Sequence, residues 1–441
     1  MTDSCIIQLF IDGHWHDIAE VSLFAAASRG WRGDTYTGYG TAWVLDYQGR
    51  IDAHAMGSQY PVSLIPFKRP HWPVFLFDLL PQGYGRGELL KQLGLPETME
   101  ESADWQLILA GAGNPIGHLR VKEAAQWLSE QPSLVVGFSD DEVAQRSDNF
   151  IEYLSTHGLF VAGSSGVQGE WPKILLTRAK DGLLYLDHTV KDADAVEHFI
   201  VKFGRGANQR LAQILAHEAP YMAIGQQLGL RVFAPLVLRE RALFIPRFDR
   251  RVTETGVTRL AQESIAAMLE APGFNATPSH DDAVQRMMQV VSNPQQEVLE
   301  YIKRDVANLA FCNRDNHARN TALQRDFDGQ VRLTPLFDFA PMYLHPDGIA
   351  RRMRWTGNDG GAADWGRVLD RVVASSQEQG ATASGLPLSR AALVAGMLAM
   401  AQPLADIARH GGAYGLKAEV HSFLIPHIDA QIRALAKLAH G

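Results

Sequence analysis

The run Asn313-Arg314-Asp315-Asn316-His317-Ala318-Arg319-Asn320 follows an apolar stretch ending at Phe311-Cys312, and a second carboxylate, Asp338, stands in Thr334-Pro335-Leu336-Phe337-Asp338-Phe339. Asp315 precedes Asn320 by five positions, and Asp338 comes 18 later. A carboxylate, an amide and another carboxylate around a hairpin suit Mg²⁺-assisted phosphoryl transfer. That chemistry needs hard oxygen ligands for the metal and a carboxylate near the proton of the attacking hydroxyl. The spacing is that of protein kinases, in which a catalytic-loop Asp precedes a metal-binding Asn by five positions and a metal-binding Asp follows. The same residue types also make ordinary polar turns and helix caps. A different chemistry is open to them as well: Asp315, His317 and Asp338 as ligands of a water-activating metal would give a nuclease or phosphodiesterase that needs no ATP. A third reading is a catalytically degenerate module that binds ATP without turnover.

Upstream, Ser164-Ser165-Gly166-Val167-Gln168-Gly169 precedes a strand-like run that begins at Lys173. Glycine frees backbone N–H groups to approach phosphate oxygens, although such loops are more often plain turns, and no GxxxxGK[ST] motif is present. Lys202 alternates with apolar neighbours in Phe199-Ile200-Val201-Lys202-Phe203. A lysine on a strand beneath a phosphate loop pairs with ATP phosphates, and Glu218 on the following helix would orient it; pattern alone does not separate Lys202 from Lys173. His14-Trp15-His16 lacks a third metal ligand. Arg247, Asp249, Arg250 and Arg251 read as a charged turn, and Arg351-Arg352-Met353-Arg354-Trp355 is basic enough for a modest phosphate contact.

The elements that must position these groups follow from periodicity and breakers. Alternation through Ile6, Leu9 and Ile11 into Asp12-Gly13, and through Thr41 to Leu45 into Asp46-Tyr47-Gln48-Gly49, predicts short strands joined by hairpins. Helical patches at Val74 to Leu80 and Leu89 to Leu95, then a turn-rich Gly111 to Gly117 leading into a strand at His118 to Val121, make residues 1–125 an α+β unit. Residues 126–255 read as a small β-rich lobe: a helix at Asp141 to Tyr153, strands at Lys173 to Thr177 and His198 to Phe203, a helix around His217 to Leu228, and a β pair at Phe233 to Leu238 and Ala242 to Ile245. Residues 256–441 read as mostly helical from Leu260, with a β-like interruption at Val331 to Phe339. The last helix is expected from Pro426, whose missing N–H costs nothing in a first turn.

A chain of 441 residues is long enough for two or three structural units. Its net charge of −8 argues against a general nucleic-acid-wrapping surface. Two distant cysteines, Cys5 and Cys312, imply no disulfide framework. With neither a basic, apolar leader nor a run of about 20 apolar residues, a cytoplasmic location with no membrane association is expected.

In this order the motifs resemble the HipA-like toxin kinases, bacterial serine/threonine kinases of type II toxin–antitoxin systems. The resemblance rests on Asn313 to Asn320, Leu333 to Asp338, Phe244-Ile245-Pro246-Arg247-Phe248-Asp249-Arg250, Glu218 to Leu230, and in the first unit Phe77-Asp78-Leu79-Leu80-Pro81 with Ile116-Gly117. It implies an α+β, atypical protein-kinase-like two-lobed fold, with a small nucleotide lobe, a large helical lobe and an added N-terminal α+β subdomain. It further implies Asp315 as catalytic base, Asn320 and Asp338 as Mg²⁺ ligands, and Lys202 on the ATP phosphates. His317, in step with the family's motif, joins the nucleotide site. Ser165, Gly166, Val167, Gln168 and Lys173 would belong to the phosphate-covering loop, and Pro246, Arg247 and Phe248 would hold adenine largely through backbone groups. Autophosphorylation at Ser164 or Ser165 is implied as a switch. So are a protein substrate among translation components such as an aminoacyl-tRNA synthetase, and a helix-turn-helix antitoxin that brings DNA only indirectly. Two features depart from the family's pattern: a longer loop before Lys173, and Pro246 where an acidic hinge residue is usual.

Overall fold

The computed structural model describes residues 3–439 except 25–26, 97–100, 132–134, 147–148, 151–152, 155–171, 205–207, 255, 361–362 and 379. Ser164, Ser165, Gly166, Val167 and Gln168 therefore lie outside the described residues. The chain divides into two compact units: 1–205 with 237–276 and 324–329, and 206–236 with 277–323 and 330–441.

The first unit holds two antiparallel five-stranded sheets. One runs Phe67–Arg69, Thr35–Tyr39, His14–Leu23, Ser4–Ile11, Leu119–Val121 in spatial order. Its first hairpin closes through Asp12 and Gly13, at φ 52° and 78°, the positive pair that a two-residue turn requires between right-twisted strands. Its core gathers Ile7, Leu9, Tyr60, Trp72, Phe77 and Trp105. The other sheet runs Leu184–Leu186, Lys173–Ala179, Ala195–Phe203, Ala242–Pro246, Val237–Arg239, over a separate core of Phe138, Phe150, Ile174, Leu176, Val201 and Phe244. These two cores part between Ala124 and Leu128.

A buried polar network nonetheless makes one unit of them. Asn114 Nδ2 donates to Asp187 Oδ2 (2.9 Å), and Gly117 N–H to Asp249 Oδ2 (2.8 Å). Arg247 holds Asp249 with two hydrogen bonds and lies 3.2 Å from Asp187; Arg250 joins Asp249 to the Gly117 carbonyl. Thr177 donates to Asp187 Oδ1 at 2.6 Å, and His198 Nδ1 lies 2.9 Å from it. Burial opposes ionisation of Asp187, yet Arg247, His198 and Arg250 hold its carboxyl well below the usual range.

His118 carries a pH dependence. Its Nε2–H donates to the Ala53 carbonyl at 2.7 Å. Burial, then the positive charge of Arg325, pushes its pKa down to about 3 against the carbonyl's opposing pull. An unfolded histidine titrates near ~6.5, so between these values the unfolded chain binds a proton that the folded state refuses. The stability from neutral His118 is full above about pH 6.5 and is lost as pH falls towards 3. His118→Gln is expected to lose roughly 2 kcal/mol less than the parent between about pH 6.5 and pH 5, measured by urea titration at each pH.

The second unit is helical: Gln209–Gln227, His280–Val290, Pro294–Ala310, Trp365–Ser376, Arg390–Leu398, Ala401–His410 and Ala418–Ala436. Its starts are legible locally. Ser279 and Asp282 form a reciprocal capping box, Asn293 caps with Pro294 next, and Asp364 and Ser389 cap their helices. Among the described residues one stretch, Arg390–Tyr414, is long and apolar enough to cross a membrane by length and composition alone; it comprises two short helices that bury Leu393, Met397, Leu404 and Ile407.

Three sequence expectations are corrected. Thr41–Tyr47 is a helix, not a strand: adjacent Trp43 and Val44 are both buried, which a strand's alternation would place on opposite faces. Pro426 lies inside the helix Ala418–Ala436 rather than at its start. It is tolerated because Pro426 and Ser422, whose carbonyl loses its partner, are exposed to water, while Leu424 and Ile428 anchor the buried face. The stretch after Leu260 also contains strands at Ala261–Ser264 and Ala322–Arg325, and the strand at Val331 ends at Leu333 rather than Phe339.

Candidate active site

The helix Pro294–Ala310 ends in a Schellman motif. Cys312 takes φ 51°, a conformation usually left to glycine, and Asn313 N–H reaches back to the Asn308 carbonyl at 3.0 Å. This turns the chain sharply into the loop at Asp315. Tyr221, on the helix Gln209–Gln227, donates its hydroxyl to the Phe311 carbonyl at 2.9 Å and packs on Phe311 and Phe339. Phe339 follows Asp338, so one tyrosine ties the helix end to the second carboxylate. From the other side Arg231 grips Glu297 with two hydrogen bonds and the Leu333 carbonyl with a third (2.7 Å). Arg304 joins Glu300 to the Thr334 carbonyl. The segment that carries Asp338 is thereby held to the helix that leads into the Asp315 loop.

Within the loop, Asn320 Nδ2 donates to the Asp315 carbonyl at 2.7 Å and Asn320 N–H to the His317 carbonyl at 2.9 Å. Asn320 Oδ1 is buried with no hydrogen-bond partner. Arg319 N–H donates to His317 Nδ1 at 3.2 Å, which leaves the proton of the neutral ring on Nε2, 3.5 Å from Asp315 Oδ1. Burial lowers the His317 pKa, opposed by Asp315 and Asp338 and assisted by Arg352 and Arg319. Asp315, His317, Asp338 and Arg352 therefore form one electrostatic cluster. Asp338 takes φ 50°, a left-handed conformation that Asp and Asn tolerate better than most residues.

Asn316, unremarked in the sequence, clamps a second segment. Its Nδ2 donates to the Met353 carbonyl (3.2 Å) and its Oδ1 accepts from Arg352 N–H (3.1 Å). Next to it, Arg351 is bound by both oxygens of Asp305, which also accepts from Trp355 Nε1, and by Asp359. No local pattern announces these partners, which apart from Arg351 and Asp359 are 36 to 50 residues apart. Glu218, also in the second unit, is buried on the helix Gln209–Gln227.

The first unit holds the remaining candidates. Lys173 and Lys202 are direct cross-strand partners in the antiparallel pair of Lys173–Ala179 with Ala195–Phe203, and both are buried. Directly opposed residues of such a pair share a sheet face, and like charges there destabilise it. Pattern did not separate the two lysines; the register places them side by side. The hinge candidates are partly committed. Pro246 has no N–H, Arg247 N–H donates to the His198 carbonyl (2.8 Å), and the Phe248 carbonyl accepts from Gln324 (3.2 Å). The Arg247 side chain is wholly buried in its ion network.

Among the described residues, no group of three or more His, Cys, Asp or Glu side chains is arranged to hold a metal ion. That is the set a water-activating site built from Asp315, His317 and Asp338 would need. An Asn–Asp pair for a hard cation is a different demand, and the unpartnered Asn320 Oδ1 fits it.

Comparison with known proteins defines the class. The sequence profile of the HipA-like C-terminal domain matches residues 165–394, more than half of the chain. The chain belongs to the HipA-like family. Its fold is similar to that of HipA from Shewanella oneidensis MR-1, solved in a toxin–antitoxin complex with HipB and its operator DNA, at TM-score 0.62 and 17% identity over 98% of this chain and 97% of that one. A similarity to the Helicobacter pylori proinflammatory kinase CtkA covers 55% of this chain and 91% of that one at 14% identity, but its TM-score of 0.34 supports no argument. No curated protein matches.

Proposed function

We propose that this protein is an ATP- and Mg²⁺-dependent serine/threonine kinase, the toxin of a toxin–antitoxin pair. The observation that carries the reading is the loop in which Asn320 fastens the Asp315 carbonyl while its own Oδ1 stays unpartnered, within a segment tied to Asp338. In this reading the Asp315 carboxylate takes the proton of the acceptor hydroxyl as that oxygen bonds to the γ-phosphorus and the bond to ADP breaks. His317 Nε2–H faces Asp315 Oδ1 and orients it. Lys173 and Lys202 neutralise nucleotide phosphates. Asn320 and Asp338 would hold Mg²⁺, which when bound supplies charge neutralisation on the transferred group. Pro246 to Phe248 would receive adenine largely through backbone groups, with Glu218 the proposed orienting group for the lysines. Ser164 or Ser165 would be the autophosphorylation site.

Membership of the HipA-like family supports the toxin role, and the HipB and operator DNA of the Shewanella complex support an antitoxin partner with DNA reached through it. A translation component such as an aminoacyl-tRNA synthetase is the proposed substrate, and the cytoplasm the proposed location. The test is transfer of label from γ-labelled ATP by the purified chain, with Mg²⁺ or with chelator, followed by mapping of labelled residues. Mg²⁺-dependent label on Ser164 or Ser165 is the expected result; tight ATP binding with no transfer would overturn the kinase in favour of a binding module.

A further inference from the structure

The turn Asn114-Pro115-Ile116-Gly117 lies between the helix Asp104–Gly111 and the strand Leu119–Val121 of the first sheet, in the part of the first unit that the chemistry above does not use. Four of its polar groups nevertheless end on Asp187, Asp249 and Arg250. Asn114 Nδ2 donates to Asp187 Oδ2 and Gly117 N–H to Asp249 Oδ2, while the Pro115 and Gly117 carbonyls accept from Arg250 at 3.3 and 2.7 Å. Gly117 takes φ 89°, a backbone that a residue with a side chain adopts only under strain. Asn114, Asp187 and Asp249 are all buried. Burial opposes ionisation of Asp249, and Arg247, Arg250 and the Gly117 N–H together hold its carboxyl below the usual range. The two carboxylates fixed by the turn are the two that face the Arg247 guanidinium. The Arg247 backbone is committed in turn, its N–H to the His198 carbonyl, and the next two carbonyls accept from Gln324 and from Leu260 N–H (3.0 Å). An unbroken line of contacts therefore runs from the turn through two carboxylates and one guanidinium to the backbone between Pro246 and Phe248.

We propose that Asn114 and Gly117 are positioning residues for nucleotide binding, setting the backbone of residues 246–248 through Asp187, Asp249 and Arg247. The inference rests on the reading of residues 246–248 as the adenine hinge, and it gives the N-terminal α+β part of the unit a share in that site. Recognition through backbone groups makes position decisive: a hydrogen bond weakens steeply with misalignment, and a peptide group, unlike a side chain, has no rotamer with which to follow a shift. The network has little slack, because a buried charge parted from its partner is left unmatched in a low dielectric. The Arg247 guanidinium must therefore follow its two carboxylates, and its backbone moves with it.

The experiment uses the full chain and the fluorescent nucleotide mant-ATP with Mg²⁺, beside a urea titration of each variant. Asn114→Asp sets a second carboxylate against Asp187 and is expected to weaken nucleotide binding roughly tenfold. Asn114→Ala removes the donor and adds no charge, which keeps the test open if the aspartate variant fails to fold; roughly threefold weakening is expected of it. Ile7→Val, which takes one methyl from the first core, is the control: its urea midpoint falls and its nucleotide affinity stays that of the parent. In turnover with a serine peptide, the Asn114→Ala loss is expected in KM for ATP, with kcat retained. A purely structural role for Asn114 predicts lower urea midpoints with unchanged affinity in the folded variants, and that result would overturn the inference while leaving the kinase standing. Equal weakening in Ile7→Val would overturn it too, since affinity would then follow stability at large. A parent chain that binds no mant-ATP removes the nucleotide site itself, and the inference with it.

Discussion

Asp315→Asn is expected to lower phosphoryl transfer about 10²–10⁴-fold, the usual contribution of a positioned general base, with the folded state unchanged within about 0.5 kcal/mol. The Asp315 side chain is 28% exposed and Asn320 holds its backbone carbonyl rather than its carboxylate. An amide in its place keeps the loop and loses the proton acceptor. Asp338→Asn is the companion: asparagine tolerates the left-handed backbone at φ 50°, so the variant folds and lacks the charge proposed to hold Mg²⁺, with a loss of about 10²–10³-fold. Steady-state rates with urea titrations of both variants make the check. Unimpaired transfer by Asp315→Asn would remove Asp315 from the mechanism, and unimpaired transfer by Asp338→Asn would do the same for Asp338.

The largest stability effect is expected at Arg247→Met, about 3–5 kcal/mol by urea denaturation. The wholly buried guanidinium counters both Asp187 and Asp249, and its loss leaves two buried carboxylates with Arg250 as the remaining guanidinium. Both carboxyls are held below their ordinary range against burial. Their stabilisation is therefore full above the unfolded value near ~4 and is lost as pH falls below it. In Arg247→Met that acid-sensitive window moves to higher pH, because burial then acts with less opposition. Arg178→Ala, which breaks half-buried pairs with Asp140 and Glu197, is the control and should cost about 1 kcal/mol or less. Equal losses in the two variants would show that the Arg247 network is no stronger than a surface pair.

That network has a bearing on how the domains read. Two hydrophobic cores part between Ala124 and Leu128, and most of each core comes from one stretch of chain, with Ala267, Phe274 and Phe327 reaching the first from far along the sequence. The polar links between Asn114, Asp187, Gly117 and Asp249 span 73 and 132 positions, and no window of sequence shows them. Read alone, Arg247 to Arg251 looked like a solvated turn; in the fold Arg247, Asp249 and Arg250 are buried.

Spacing by itself determined which groups the loop brings together. Asp315 and Asn320 must lie on one short turn because only four residues separate them. Alternation likewise placed Lys202 on a strand, because strand faces are set by neighbours a few positions away. Only the tertiary structure decided what is non-local. The register between strands set Lys173 opposite Lys202; Tyr221 tied Phe311 to Phe339; Asn316 clamped Arg352 beside Asp315. Helical or strand grammar reports which face of an element is buried, but a pairing between distant segments is selected by packing and by the cost of leaving buried charges and hydrogen-bonding groups unmatched, and that cost becomes defined only when the chain is folded.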